Sequence, residues 1–360
     1  MWLWTNVCNT VAAIAIMPPP RMMLVVTGDD FGYCPRRNQG IVDCFQAGGI
    51  SNVSLLVNAC ATKEAAHLAK RYNIPVGLHA NLSEGIPVCL SLQRASTLVN
   101  EHGFFLGKMG FRHALERGQL SMKQAWRATS PRITILVPPW CYLDRVPSGV
   151  NYQQGSVGVA VELELKAQVT LFVELTGHLP HHMDGHQHIH VLPEVCKVFA
   201  QVLSDLRIPY TRLPVEPGLH NCPWLPAHLQ SFYTQVEKDA KDSIPIFKRY
   251  GIRWPDVYLG LTTMGQDMSV SRLQMALGHA LAAFTTADTC SSAGNQPVVT
   301  AELMVHPGYP SHPQEGGCGE GPDDFSQSAD RQHELSVLRD PSLLAHYSQE
   351  RVQLCAFKDL

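Results

Sequence analysis

Two adjacent aspartates, Asp29 and Asp30, close the apolar run in VVTGDDFGYC (residues 25–34). A second dense group, HHMDGHQHIH, sets His181, His182, His186, His188 and His190 around Asp184. At an effective dielectric near ~20, two unit charges ~4 Å apart repel by about 4 kcal/mol, so a buried carboxylate pair needs a cation, a shared proton or many donors. Imidazoles are metal ligands, and ligating imidazoles need a carboxylate or carbonyl to fix their tautomer, a role open to Asp184. A lone histidine is better read as a solvated or satisfied group. Five in ten residues, beside an Asp-Asp pair, favour metal or catalytic use. His79 in GLHANL and His306 in MVHPGYP are further candidates, each balanced against a plain core histidine.

In extended backbone, successive side chains point to opposite faces. The two aspartates should then divide the work, one holding a cation and the other staying free to take a proton. The same period of two would put His186, His188 and His190 on one side, with only one or two of them reaching a single ion. One carboxylate and two imidazoles leave open positions for water and substrate. Water on such a metal can have a pKa near ~7 in place of ~15.7. A free aspartate as general base contributes roughly 10²–10⁴ in rate, and a histidine across the site could protonate the leaving group. Such a set suits hydrolysis of an amide or ester.

The elements that must position these residues alternate between strand and helix. MMLVVT, NVSLLVN, PVGLHANL, IPYTRLP, DVYLGLTT and AELMVH read as strands, and NQGIVDCFQAG, the stretch opened by Thr62-Lys63-Glu64, and the stretch opened by Pro193-Glu194 read as helices. About seven such units argue for a parallel sheet with helical crossovers, closer to a (β/α) barrel than to an open sheet. The chemistry-bearing residues fall at the C-terminal ends of the strands, the edge on which parallel α/β folds build sites.

With 45% hydrophobic and 16% charged residues, the chain is globular. A net charge of −3 and the absence of any Lys/Arg run argue against nucleic-acid and membrane partners. Eleven cysteines, none spaced C-x-x-C, favour reduced thiols and a cytoplasmic protein. Residues 1–21 read as a disordered N-terminal extension, too short in its apolar part to span a bilayer. Residues 128–159 interrupt the domain with several prolines and no period, and are expected to be poorly ordered and not catalytic. Asp323-Asp324-Phe325, in the loop at 311–328, echoes the opening motif, but with no strand before it chance composition is the better reading.

Four ordered motifs, TGDDFG, GLHANLSEG, the H-x-D-G-H-x-H-x-H of residues 182–190 and ELMVHPGYP, together resemble the YdjC-type carbohydrate deacetylases across residues 22–355, the insert apart. The resemblance implies a single-domain α/β fold, a distorted (β/α) barrel of about seven parallel strands. It also implies one divalent metal ion, Mg2+ or Zn2+, an acetylated sugar substrate of chitin-type or related kind, and a homodimer. Carried over by position, Asp29 becomes the general base, His306 the general acid, and Asp30, His79 and His186 the metal ligands. Asp184, His182, His188 and His190 would support them, while Tyr33, Phe104, Trp254 and Tyr309 are candidates to stack on sugar rings. Each of these aromatics is more commonly a core or rim residue. Imidazole ligands favour zinc over magnesium on softness, whereas parts of the family carry magnesium. Two other readings stay open. A phosphoester hydrolase is disfavoured because Arg and Lys are scarce near the motifs. A catalytically weak metal- or sugar-binding protein acting through partners is kept alive by the insert.

Overall fold

A computed structural model describes residues 20–90, 92, 98–119, 157–287 and 298–360. The N-terminal extension and the insert therefore lie outside the described residues, except for residues 20–21 and for 157–159, which open a helix.

Among the described residues, seven strands form one all-parallel sheet in a single α/β domain: β1 (Met22–Phe31), β2 (Asn52–Leu55), β3 (Val76–Ala80), β4 (Met183–Gly185), β5 (Val257–Leu259), β6 (Val299–Val305) and β7 (Val352–Cys355). Six of them curl into a half-barrel in the order β4-β3-β2-β1-β6-β5. β1 lies at its centre, and Leu24, Val25 and Val26 are all fully buried, as the unbroken apolar run requires of a strand covered on both faces. On one flank β1 has two neighbours in succession. Met22–Val25 pairs with β7, and Thr27–Phe31 pairs with β2.

The helices around the sheet are α1 (Pro35–Gln46), α2 (Thr62–Tyr72), α3 (Gly107–Glu116), α4 (Val157–Thr176), α5 (Pro193–Asp205), α6 (Ala227–Arg249), α7 (Val270–Ala287), α8 (Asp324–Gln327), α9 (Asp330–Leu338) and α10 (Pro341–Gln349). Proline opens α1, α5 and α10, where its missing N–H costs no hydrogen bond. α1 packs on the His306-Pro307-Gly308 segment with almost no side chain between them, since a Cβ at Gly40 would lie 2.4 Å from the Gly308 Cα.

Two expectations change. IPYTRLP is not a strand. Pro209 and Pro214 remove ladder donors, and only Tyr210 pairs, bridging to His182 on one side and Arg253 on the other. That single residue spans the gap between β4 and β5. The histidine segment is not extended either, because β4 ends at Gly185 and a 3₁₀ turn follows from His186 to Val191. Within it Gln187 (φ 54°) and His188 (φ 58°) are left-handed, so His186, His188 and His190 do not share a side by alternation. Among the described residues, no helix is long and apolar enough to cross a membrane.

Candidate active site

Asp29 and Asp30 stand within the last three residues of β1, not beyond it. Strict alternation would send their carboxylates to opposite faces. Asp30 breaks it, because its backbone is left-handed (φ 60°) and the pairing with β2 shifts register between Gly28 and Phe31. Both carboxylates consequently face the same imidazole: Asp29 Oδ2 is 3.8 Å and Asp30 Oδ1 3.5 Å from His79 Nε2. A left-handed residue that is not glycine costs roughly 1–2 kcal/mol, a local strain found most often where chemistry requires it.

His79 comes from β3 and His186 from the residue after β4, so the pairing of β3 with β4 sets their separation. His186 Nδ1 is 3.1 Å from Asp30 Oδ1 and 3.2 Å from His79 Nε2. Asp30 Oδ1 is buried and accepts no well-formed hydrogen bond among the described residues. One carboxylate oxygen and two ring nitrogens thus converge, and the far side of each ring meets a carboxylate. His79 Nδ1 donates to Asp184 Oδ1 at 2.6 Å, which leaves Nε2 to act as a ligand, and His186 Nε2 lies 3.4 Å from Glu84 Oε2.

Burial should discourage charge here, yet the acids prevail. Desolvation is outweighed for His79 by Asp184 and Asp29, which push its imidazole up to about 9. Desolvation is likewise outweighed for His186, raised by Glu84 and Asp30, and for Asp30, lowered by the facing rings of His186 and His79. The centre therefore calls for positive charge, and this donor set fits a divalent cation. A second group, Asp29, His79 and Asp184, fits less well, because Arg212 already bridges its two carboxylates.

Arg212 escaped the sequence reading. It is fully buried and grips Asp29 through Nη1 (2.6 Å) and Nη2 (2.8 Å), while Nη2 also lies 3.0 Å from Asp184 Oδ2 and Nε bonds Glu302 Oε1 at 3.1 Å. Burial works against this guanidinium, but Asp184, Asp29 and Glu302 raise its pKa well above the usual value. Arg37 Nη1 meets Asp30 Oδ2 at 3.2 Å, and Arg112 reaches Asp239 and the Gln187 carbonyl. The scarcity of arginine near the motifs is thus a property of the sequence only. The fold brings in Arg112, Arg212 and, beside His306, Arg331, while Arg37 lies just past the first motif, and each of the four faces a carboxylate.

His306 follows β6 at the same edge. Its backbone N–H donates to Glu334, its ring meets Phe325 edge-on at 5.8 Å, and its Nδ1 has no hydrogen-bond partner among the described residues. Burial and the nearby Arg331 hold its pKa well below the ordinary value. Phe325 shows that the 311–328 loop takes part in the site: Asp323 caps α8, and its N–H donates to the Tyr33 hydroxyl.

The remaining candidates are scattered. His182 is fully buried and stacked on Phe357 at 4.0 Å, with Nε2 3.6 Å from Asp184 Oδ2. His188 meets Tyr258 edge-on, and His190 Nε2 donates to the Arg212 carbonyl; burial brings His190 down to about 4. Tyr33 is buried under Arg37, so its ring is not open to a sugar. The Tyr309 hydroxyl donates to Asp43 on α1. Trp254 precedes β5 and packs on Phe247, at the opposite end of the strand from the site, and so takes no part in it. Phe104 lies at a rim, close to Gly319.

A family model described as YdjC-like protein matches residues 23–349. The chain is 58% identical over 350 residues to a carbohydrate deacetylase of Danio rerio, covering 95% of this chain and 100% of that one. It is 47% identical over 344 residues to a carbohydrate deacetylase of Homo sapiens, covering 96% and 93%. A crystal structure from Enterococcus faecalis, assigned to cellobiose-phosphate cleavage, superposes with a TM-score of 0.62 at 17% identity over 94% of this chain and 98% of that one, a likeness of fold. With the family match running from the first strand nearly to the last, the chain belongs to the YdjC-like family.

Proposed function

We propose that this protein is a metal-dependent hydrolase that removes acetyl groups from N-acetylated carbohydrates, chitin-type oligosaccharides or related sugars. The observation that carries the reading is the convergence of Asp30, His79 and His186 beside an Asp29 held at both oxygens by Arg212, in a chain so similar to carbohydrate deacetylases. Asp30 Oδ1, His79 Nε2 and His186 Nδ1 would hold one divalent cation, Mg2+ or Zn2+. When bound, such an ion polarises a carbonyl oxygen and lowers the pKa of water.

The chain's own residues account for the rest. Arg212 fixes the orientation of Asp29, so that Asp29 can take the proton of an attacking water. Asp184 holds the His79 tautomer and shares Arg212 with Asp29. His306, which burial and Arg331 hold neutral at rest, would draw a proton from solvent as negative charge builds on the acetamide oxygen and pass it to the departing amine, while Asp29 would return the proton taken from water to solvent. Eight free cysteines among the described residues agree with a cytoplasmic, reducing setting.

The test is acetate release from short N-acetylglucosamine oligosaccharides, with and without chelator, by wild type and Asp29→Asn. Release that needs both metal and Asp29 supports the reading. Folded, metal-loaded wild type that releases none would favour a binding protein working through partners.

A further inference from the structure

We propose that Glu84 is a positioning residue of the candidate metal centre, holding His186 so that Nδ1 faces Asp30 and His79. The inference rests on the ligand set proposed above.

The observation behind it is a carboxylate with an immobilised backbone, aimed at a turn that would not otherwise keep its shape. Asn81 accepts the Glu84 N–H at its Oδ1 (3.0 Å), and Asn81 Nδ2 (3.0 Å) and Asn58 Nδ2 (3.1 Å) both donate to the Glu84 carbonyl. Asn81 is itself locked from α4, where Gln168 accepts its N–H (3.0 Å) and donates to its carbonyl (2.6 Å). On the next residue no side chain is possible: a Cβ at Gly85 would lie 2.1 Å from the Cys318 carbonyl oxygen. The Glu84 side chain can therefore leave in few directions.

It goes to the histidine turn. One oxygen accepts from Gln187 Nε2, and the other lies 3.4 Å from His186 Nε2. Gln187 and His188 are consecutive left-handed residues, a conformation disfavoured for L-residues and rarely seen in succession. Glu84 from one side, and Arg112 on the Gln187 carbonyl (3.4 Å) from the other, hold that turn. Without them, relaxation of Gln187 would rotate His186 away from Asp30. Together with Asp184 behind His79, this gives each imidazole its own carboxylate, an outer contact that commonly sets metal affinity by roughly 10–100-fold.

The experiment is a titration of the metal-free full-length protein with cobalt(II) alone, followed by visible absorption, on wild type, Glu84→Gln, His186→Ala and the exposed control Glu101→Gln. Glu84→Gln conserves volume and an acceptor for Gln187, and circular dichroism reports whether it folds. We expect Glu84→Gln to bind cobalt roughly 10–100-fold more weakly with a shifted visible band, and Glu101→Gln to match wild type. Gln187→Ala, which cuts the same strap from its other end, should weaken binding several-fold and carries the test if Glu84→Gln does not fold. Wild-type affinity and spectrum in both strap variants, with binding lost in His186→Ala, would overturn the role of Glu84 and leave the ligand set standing. A wild type that binds no cobalt, or a His186→Ala that binds it unchanged, would overturn the ligand set and this proposal with it.

Discussion

Arg212 holds Asp29 by two hydrogen bonds, Nη1 to Oδ2 at 2.6 Å and Nη2 to Oδ1 at 2.8 Å, with both side chains buried. A planar fork can engage both oxygens of a carboxylate at once, and an ammonium cannot. Arg212→Lys should therefore keep the charge and lose the orientation, lowering kcat/KM by roughly 10²-fold. Arg212→Met would leave Asp29, Asp184 and Glu302 uncompensated and cost roughly 3–5 kcal/mol of stability. Steady-state kinetics on the first variant and urea unfolding of the second check the two statements. Wild-type kinetics in Arg212→Lys would remove Arg212 from the proposed mechanism.

A cation that binds the folded centre stabilises it by mass action, about 2.7 kcal/mol at ~100 times its Kd. Thermal melts of metal-free protein should rise by several degrees on adding Zn2+ or Mg2+, and return with chelator. Asp30→Ala and His79→Ala should show no such rise. An equal shift in those variants would place the stabilising ion elsewhere.

Gly40 and Gly308 bring α1 against the segment that carries His306. Gly40→Ala forces apart two stretches of backbone that cannot yield as a side chain would. The expected cost is about 1–3 kcal/mol. Because the displaced segment carries His306, kcat should fall more than KM rises. Chemical denaturation and kinetics on one preparation read both, and an unchanged midpoint would contradict the close packing.

Glu216 offers a pH test away from the proposed ligands. It is buried and accepts from the backbone N–H groups of Leu261 (2.6 Å) and Thr262 (3.1 Å) and from the Thr262 hydroxyl (2.6 Å). Burial nevertheless dominates and raises its carboxyl from 4.5 to about 7. A folded-state pKa above the unfolded one means that the folded protein binds more protons between those values. The stabilisation is thus complete below about 4.5 and is lost as pH rises through about 7, amounting to roughly 3 kcal/mol. The stability of wild type relative to Glu216→Gln should fall between pH 5 and 8. A difference that stays flat over that range would show that Glu216 does not titrate there.

Much of the fold was legible because its signals are local. An apolar run such as LVV reads as a doubly covered strand, and Pro193 announces a helix start. Motif positions likewise brought Asp30, His79 and His186 forward, and the structure does place them together. The rest depended on long-range contact. Nothing around Arg212 in YTRLP says that it will meet Asp29, since the pairing arises only when Tyr210 fills the gap between β4 and β5. Glu84 did lie inside a quoted motif, GLHANLSEG, but its role is visible only once the histidine turn packs above it. The reading of alternation failed at Asp30 and Gln187 for one reason: local propensity favours extended backbone, and tertiary contacts impose a left-handed one. Trp254 shows the converse error, an aromatic chosen by type although it sits before its strand rather than after it.

The two neighbours that β1 takes in turn along one flank also bear on how the molecule is made. During synthesis, β2 can cover the later half of that flank early, while the half at Met22–Val25 must wait for Val352–Cys355. Until then the nascent domain carries a short, fully apolar strand edge open to other chains, which is the usual template for aggregation. Arrival of Val352–Cys355, and not the first appearance of the site residues, is the step at which this edge is covered.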